Sequence, residues 1–495
     1  MEPQSGARMG SGKVGKSPMD AVSEFSGLAS DSREVKPGYL FAALNGSRAN
    51  GATFMTDAVK RGAVAVLGRP EARGDAEALG VRFIPDENPR LRLARLAAKF
   101  FGSQPKTVAA ITGTNGKTSA SVFLRQIWEQ LGFQAASMGT IGVTTPSGKI
   151  DLQHTTPDPI EVHRLLKQLA HQGVDHLALE ASSHGLDQYR LDGVEVAAAG
   201  FTNLTRDHLD YHPSIEHYLA AKLRLFKEIV HDGGVAVVNV DSDYAASFVE
   251  VANDRRLKLI SVGVEGETLR LTDRVARDDG QTLKIVCQGK NYSVELPLVG
   301  DFQASNALVA SGLAIGLGDP ADKVFAALEK LHGAEGRLQK VAFAKSGAPI
   351  FVDYAHTPDA LETVLKAVRP HVRGKLHVVF GCGGDRDKGK RPLMGAAAVR
   401  LADVAIVTDD NPRSEDPAVI RKEVLAGAPG ARDIGDRALA IKEAIGGLGE
   451  GDTLIIAGKG HESGQTIGAV TRPFLDKEEA VKAALLLGGH AAEAA

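Results

Sequence analysis

The heptapeptide GTNGKTS, residues 113–119, lies between an apolar run, TVAAI, and a helix-like run, ASVFLRQIWEQL. Glycines in such a loop let successive backbone N–H groups converge on phosphate oxygens at a helix N-terminus. Gly113 and Gly116 would form that cradle, with Thr114 and Asn115 between them and Ser119 just beyond. Lys117 would reach the terminal phosphates, and the Thr118 hydroxyl would offer an oxygen to Mg²⁺. The usual loop has a first glycine six residues before its lysine; that position is Ile111 here, so the loop is the shortened G-x-x-G-K-T form. A bare G-K-T is as readily a glycine turn with a solvated lysine. The flanking strand and helix supply the context a nucleotide site requires, which favours ATP.

Phosphate-loop proteins also need a carboxylate on a neighbouring strand. Glu180 closes the apolar run HLALE, and Asp207, His208 and Asp210 follow the run AAAGF. A histidine among carboxylates beyond a strand end suits an ion or phosphate better than a packing role. A third place of interest is TDDNPRSEDP, Thr408 to Pro417, after the buried-looking run LADVAIV. Four carboxylates, one arginine and two prolines crowd ten residues. Taken alone, this is either a polar turn or a grip built around Arg413.

The elements that must carry these residues are short β-branched runs alternating with Ala/Leu-rich helical stretches, the pattern of parallel α/β sheets. The chain has 495 residues, too long for one ordinary core. Breaks in pattern near FFGSQPKT and GAEGRLQ predict three domains, at 1–105, 106–337 and 338–495. The first is expected to begin with a disordered leader rich in Gly, Ser and Lys that lacks the apolar core of a secretory signal. Within the central domain, the alternating stretch from Leu269 to Gly300 predicts antiparallel strands added to the sheet. The net charge of −3 argues against a nucleic-acid binder held by phosphate attraction. Two distant cysteines, Cys287 and Cys382, exclude a disulfide framework and suit a reducing compartment, so the cytoplasm is expected. No run is long enough to span a bilayer.

GTNGKTS, EASSHGLDQYR, FTNLTRDHLDYH, HYLAAKLRLF, GDFQASNALVA, GRLQ, VDYAHTPDAL, GCGGDRDKGKRPLM, DDNPRSEDP and AGKGHES occur in this order. Together they resemble the Mur ligase family, bacterial amide ligases of peptidoglycan precursor synthesis, from about Ser30 to the C-terminal region. The resemblance implies three α/β domains: an N-terminal UDP-binding one, a central ATPase-like parallel sheet and a C-terminal Rossmann-like one. It also implies an ATP-dependent ligase, acting as a monomer, that adds meso-diaminopimelate to UDP-N-acetylmuramoyl-L-alanyl-D-glutamate through an acyl phosphate. Such chemistry needs no protein nucleophile, in keeping with the absence of a G-x-S-x-G or Cys/His arrangement.

By resemblance, Lys117 and Thr118 handle the ATP phosphates and a first Mg²⁺, with Glu180 beside that metal. His208 contributes to a second metal site, and Lys222 matches a carbamylated lysine. From the sequence alone Lys222 is a lysine snorkelling along a helix. Asn306 is placed near the base, Arg337 near the phosphates and Asp353 at the ribose. Ser30, Ser32 and the Ser47–Arg48–Ala49 turn match the uridine end. Thr155, Thr156, Ser182, Gln188 and Arg190 match the muramoyl-dipeptide, which is expected between the first two domains. Arg386, Asp410, Asn411, Pro412, Arg413, Gly458 and Glu462 match the amino-acid site. There a bidentate arginine would read the second carboxylate that lysine lacks, and Glu462 could take the distal ammonium. Cys382 reads as a small buried residue. A lysine-adding relative, a folylpolyglutamate synthetase and a phosphate-loop regulatory switch are the rivals. The D-N-P-R arginine and the uridine-type segment disfavour the first two, and the third domain disfavours the last.

Overall fold

The structure, a computed structural model, describes residues 24–46 and 50–492. The N-terminal leader and the Ser47–Arg48–Ala49 turn lie outside the described residues.

Three α/β sheets follow one another along the chain. The first is wholly parallel and runs in sequence order: Gly27–Ala29, Tyr39–Ala42, Ala65–Gly68 and Arg82–Pro85. The second has eleven strands. Its centre is parallel, with Thr107–Thr112 between Val196–Phe201 and His176–Glu180. Residues of Leu269–Arg277, Gly280–Cys287 and Lys290–Leu296 form the expected antiparallel extension at one edge. The third has seven strands. Its parallel part places Leu376–Phe380 between Val404–Val407 and Thr453–Ala457, with Pro349–Asp353 next. Central strands buried on both faces read as continuous apolar runs, as TVAAIT, LHVVF and TLIIA do.

By internal contacts the chain forms two compact units. Of the described residues, one unit takes those up to 104 with 157–172 and 187–194; the other takes the remainder, including the second and third sheets. Residues 157–172 and 187–194, expected in the central stretch, thus belong with the N-terminal part. The cause is packing that sequence order hides: helix Pro159–His171 lies against helix Pro89–Phe101 within that unit.

His163 on that helix is buried, its Nε2 3.2 Å from the Asp192 carbonyl, and burial pushes its pKa down to about 4. The unfolded chain therefore binds a proton between pH 6.5 and about 4 that the folded unit resists, so acid weakens the fold across this window. Replacing His163 with Gln keeps a polar group near that carbonyl and removes the titration. Melts at pH 7 and 4.5 should show the stability loss on acidification smaller in His163→Gln by about 2 kcal/mol.

Candidate active site

The strand Thr107–Thr112 delivers the glycine loop, and helix Lys117–Gln130 leaves it. Gly116 caps that helix at φ 85°, and a Cβ there would run into the Asn306 side-chain oxygen. Conformation and space both demand glycine. The loop is stitched to the segment after Val196–Phe201. Thr114 N–H donates to the Asn203 carbonyl (2.8 Å), Asn115 N–H to Asn203 Oδ1 (3.0 Å), and Thr202 Oγ1 to the Asn115 carbonyl (2.6 Å). Thr202 and Asn203, within the FTNLTRDHLDYH motif, thus hold the loop's shape.

Two lysines converge beneath the loop. Lys117 Nζ donates to the carbonyls of Gly113 (2.9 Å) and Thr114 (2.7 Å). Lys222 Nζ donates to the same Gly113 carbonyl (2.7 Å) and lies 4.5 Å from the Tyr218 ring centre. Lys222 does not snorkel: it is 1% exposed, on the inner face of helix Ile215–Arg224, which continues into a five-residue π turn. Burial and then the charge of Lys117 hold its pKa well below the usual lysine range. Burial also lowers Lys117, opposed by the carboxylates of Glu180 and Asp207.

Glu180, 1% exposed, accepts from Thr118 Oγ1 (3.1 Å), the Thr140 N–H (2.9 Å) and the Thr140 hydroxyl (3.1 Å). Thr140, at the end of Ala135–Gly139, escaped sequence reading because nothing in its own neighbourhood marks it. Thr155 pairs with the Thr140 hydroxyl at 3.0 Å. Thr156 Oγ1 donates to the Glu180 carbonyl and accepts from Ser182 N–H and Oγ. These threonines and Ser182 therefore gather about Glu180. His208 adopts φ 52°, with Asp207 3.5 Å away and the His184 ring at 4.9 Å. Burial lowers its pKa. Among the described residues no set of three or more His, Cys, Asp or Glu is gathered to hold a metal.

Asn306 lies on helix Asp301–Leu317 against Gly116, its amide bonded to Gln303 Oε1 at 3.3 Å. Gln303 thus supports Asn306. Both oxygens of buried Asp353 accept backbone N–H groups, from Leu338 and Ala355 at 2.7 Å each. Asp353 braces the turn that carries Arg337, whose guanidinium carbon stands 4.5 Å from the Tyr354 ring centre. The other side of this aromatic cluster is His461, 5.2 Å from Tyr354 between ring centres. Burial takes His461 down to about 4.

In the third sheet the ends of Val404–Val407 and Thr453–Ala457 bring DNPR and GKGHE together. Asn411 Nδ2 donates to Glu462 Oε2 (2.8 Å), while Asn411 Oδ1 accepts from Lys459 Nζ (3.3 Å). Lys459 is fully buried and also lies 3.3 Å from Glu462 Oε2. Asp410 lies against Gly458, where a Cβ would stand 2.7 Å from Asp410 Oδ2. Arg413 Nη1 donates to the Gly384 carbonyl (2.8 Å), so the guanidinium crosses the glycine turn that bears exposed Arg386. Pro412 abuts that turn at Gly384. Arg391, wholly buried, grips Glu415 with both terminal nitrogens (2.9 and 3.0 Å) and so ties the two turns together. A buried pair, Arg437 with Asp476 (2.7 Å), ties the strand ends through the Ala457 carbonyl. Lys459, Arg391 and Arg437 were missed. Each is a basic residue whose partner lies elsewhere in the chain or in a motif read for other reasons. Cys382 is buried, and burial pushes its thiol up to about 11.

Within the N-terminal unit, Ser30 is half-buried and Ser32 is buried. Ser32 hydrogen-bonds Asp57 and thereby holds its carboxyl down. Arg190 Nη2 donates to Gln188 Oε1 at 2.8 Å.

Among the described residues, seven non-glycines adopt positive φ: Tyr189, His208, Arg256, Gln288, Leu338, Asp385 and Arg413. His208 and Arg413 are candidate site residues, and Tyr189, Leu338 and Asp385 each adjoin one. Such conformations cost about 1–3 kcal/mol each and persist where surroundings enforce them, typically at functional sites.

A short phosphate-type loop on a parallel sheet, followed by a second α/β sheet, defines a phosphate-loop α/β enzyme scaffold. Family profiles describe residues 24–101 as the Mur ligase family catalytic domain and 111–314 as the Mur ligase middle domain. Residues 336–460 match the Mur ligase glutamate ligase domain. The chain belongs to the Mur ligase family. It is 55% identical over 472 residues, 94% of this chain and 96% of the other, to the UDP-N-acetylmuramoyl-L-alanyl-D-glutamate–2,6-diaminopimelate ligase of Bradyrhizobium diazoefficiens. It is 54% identical to the ligase of the same name in Mesorhizobium japonicum, covering 93% of this chain and 95% of that one. A solved structure of a ligase with this name aligns at TM-score 0.71 and 36% identity, covering 93% of this chain and 95% of that one.

Proposed function

We propose that this chain is the ATP-dependent ligase that adds meso-diaminopimelate to UDP-N-acetylmuramoyl-L-alanyl-D-glutamate. The observation that carries this reading is the nearly full-length, 55% likeness to a curated relative bearing that name. The stretch 1–105, joined by 157–172 and 187–194, would serve the nucleotide-sugar, the rest of 106–337 the ATP and 338–495 the amino acid, in a cytoplasmic monomer.

A carboxylate is a poor acyl donor. Its oxygen attacks the terminal phosphorus of ATP, ADP leaves, and an acyl phosphate forms. The amine, after losing a proton, attacks the acyl carbon; the tetrahedral intermediate collapses and inorganic phosphate departs. Each step gathers negative charge, so catalysis falls to positioning and to fixed cations. Lys117 and the loop N–H groups would oppose charge on the transferring phosphoryl group, with Arg337 approaching from the Tyr354 side. Mg²⁺ prefers oxygen ligands and keeps several waters. The Thr118 hydroxyl and Glu180 carboxylate, already in contact, fit that donor chemistry and would hold the ion, which when bound neutralises phosphate charge. His208 would lie at a second such ion. Lys222, whose pKa burial lowers well below the usual lysine range, is chemically suited to take up CO₂ as a carbamate.

Arg413 and Arg386 supply cations for a carboxylate, while Asn411 and Glu462 supply an amide and an anion for an ammonium. Together they match an amino acid with a second amino-acid group at its far end. With the nucleotide substrate, ATP and Mg²⁺ supplied, phosphate release should require meso-diaminopimelate, and L-lysine should be a much poorer acceptor. Equal or better turnover with lysine would overturn the diaminopimelate assignment and favour a lysine-adding ligase.

A further inference from the structure

Arg413 is held from outside its own turn. Its N–H donates to the Thr466 carbonyl (3.0 Å), and its carbonyl accepts from Gly468 N–H (2.7 Å). Thr466 and Gly468 flank Ile467, which forms an isolated parallel bridge with Arg413. These residues belong to a two-stranded hairpin, Gly464–Ile467 with Val470–Pro473. Three further bonds join the hairpin to the site. Thr466 N–H donates to Asn411 Oδ1 (2.9 Å), Gln465 Nε2 to the Asp410 carbonyl (2.8 Å), and Lys459 Nζ to the Gly464 carbonyl (2.6 Å).

An isolated two-stranded hairpin is marginal by itself. This one buries little: Ile467 is 43% and Val470 58% exposed. Its polar contacts to the DNPR turn are therefore the main thing that anchors it. In return it binds both sides of the Arg413 backbone, at φ 53°, where an arginine would not rest unaided. That backbone angle sets the direction in which the guanidinium leaves the turn.

We propose that the hairpin Gly464–Pro473 sets amino-acid selectivity by locking the Arg413 backbone, with Gln465 and Gly468 as positioning residues. The proposal rests on the ligase reading above. Only the acceptor that bears a far carboxylate depends on the aim of Arg413. Loosening the lock therefore costs diaminopimelate turnover and spares lysine turnover. A general loss of stability would lower both alike.

The test compares kcat/KM for meso-diaminopimelate and L-lysine in the parent, Gln465→Ala and Gly468→Pro. Gln465→Ala deletes one side-chain bond and should lower the selectivity ratio about fivefold, the worth of one hydrogen bond. Gly468→Pro removes the donor to the Arg413 carbonyl and, because Gly468 adopts φ 59° where proline cannot, also breaks the hairpin turn, so it should lower the ratio about tenfold or more. The KM for ATP should stay within about twofold of the parent, since these bonds lie on the amino-acid side. Variants that melt like the parent and keep its ratio overturn the proposal. If Gly468→Pro does not fold, Gln465→Ala decides alone. A parent that shows no preference for diaminopimelate fails the ligase reading itself, a result distinct from a preference that survives both substitutions.

Discussion

Replacing Lys117 with methionine should lower kcat by about 10³-fold, as expected when a preorganised charge opposite a phosphoryl group is lost. Lys117 is half-buried, and its amine is engaged by two carbonyls of its own loop. Burial disfavours its charge, and the carboxylates of Glu180 and Asp207 support it. Methionine keeps the stem and its packing while deleting the charge. The nucleotide-free variant should therefore melt no lower than the parent, because a desolvated cation has been removed from beside Lys222. Steady-state rates and thermal melts on the same preparations check both halves. A variant that is inactive and also markedly less stable would show Lys117 to be chiefly structural.

Replacing Arg413 with alanine should raise the KM for meso-diaminopimelate about 100-fold and leave the KM for ATP nearly unchanged, the usual penalty for stranding a carboxylate without its bidentate cation. The Arg413 side chain bonds to the protein through Nη1, at the Gly384 carbonyl, and its guanidinium has further donors to offer. The turn has independent supports: Ser414 bonds to Asp385 at its N–H (3.1 Å) and hydroxyl (2.5 Å), and Glu415 is held by Arg391. The alanine variant should accordingly fold. Kinetics with each substrate varied in turn decide the matter; comparable losses for ATP and amino acid would assign Arg413 to structure.

The glycine loop, the carboxylate closing HLALE and the order of strands and helices were legible because they depend on local pattern. A buried strand must be apolar, and a phosphate loop must be glycine-rich, wherever they occur. The supports of the site were not legible. Lys459 looks like any lysine between glycines until Asn411, 48 residues away, is placed against it. Arg391 and Arg437 likewise gain meaning from Glu415, Glu423 and Asp476. The allocation of 157–172 to the N-terminal unit was hidden too, since helix Pro159–His171 carries an ordinary amphipathic pattern that names no partner. Family resemblance located Lys222, but only the fold shows it buried under the loop with its amine on the Gly113 carbonyl.

Left-handed backbone at Arg413 has an evolutionary corollary. Glycine or asparagine would suit that φ better, so selection for thermal robustness alone would drive the position away from arginine. If Arg413 reads the acceptor as proposed, drift toward a more stable turn and retention of the acceptor's identity pull in opposite directions at this single residue. In a stabilisation campaign it is a position to leave untouched.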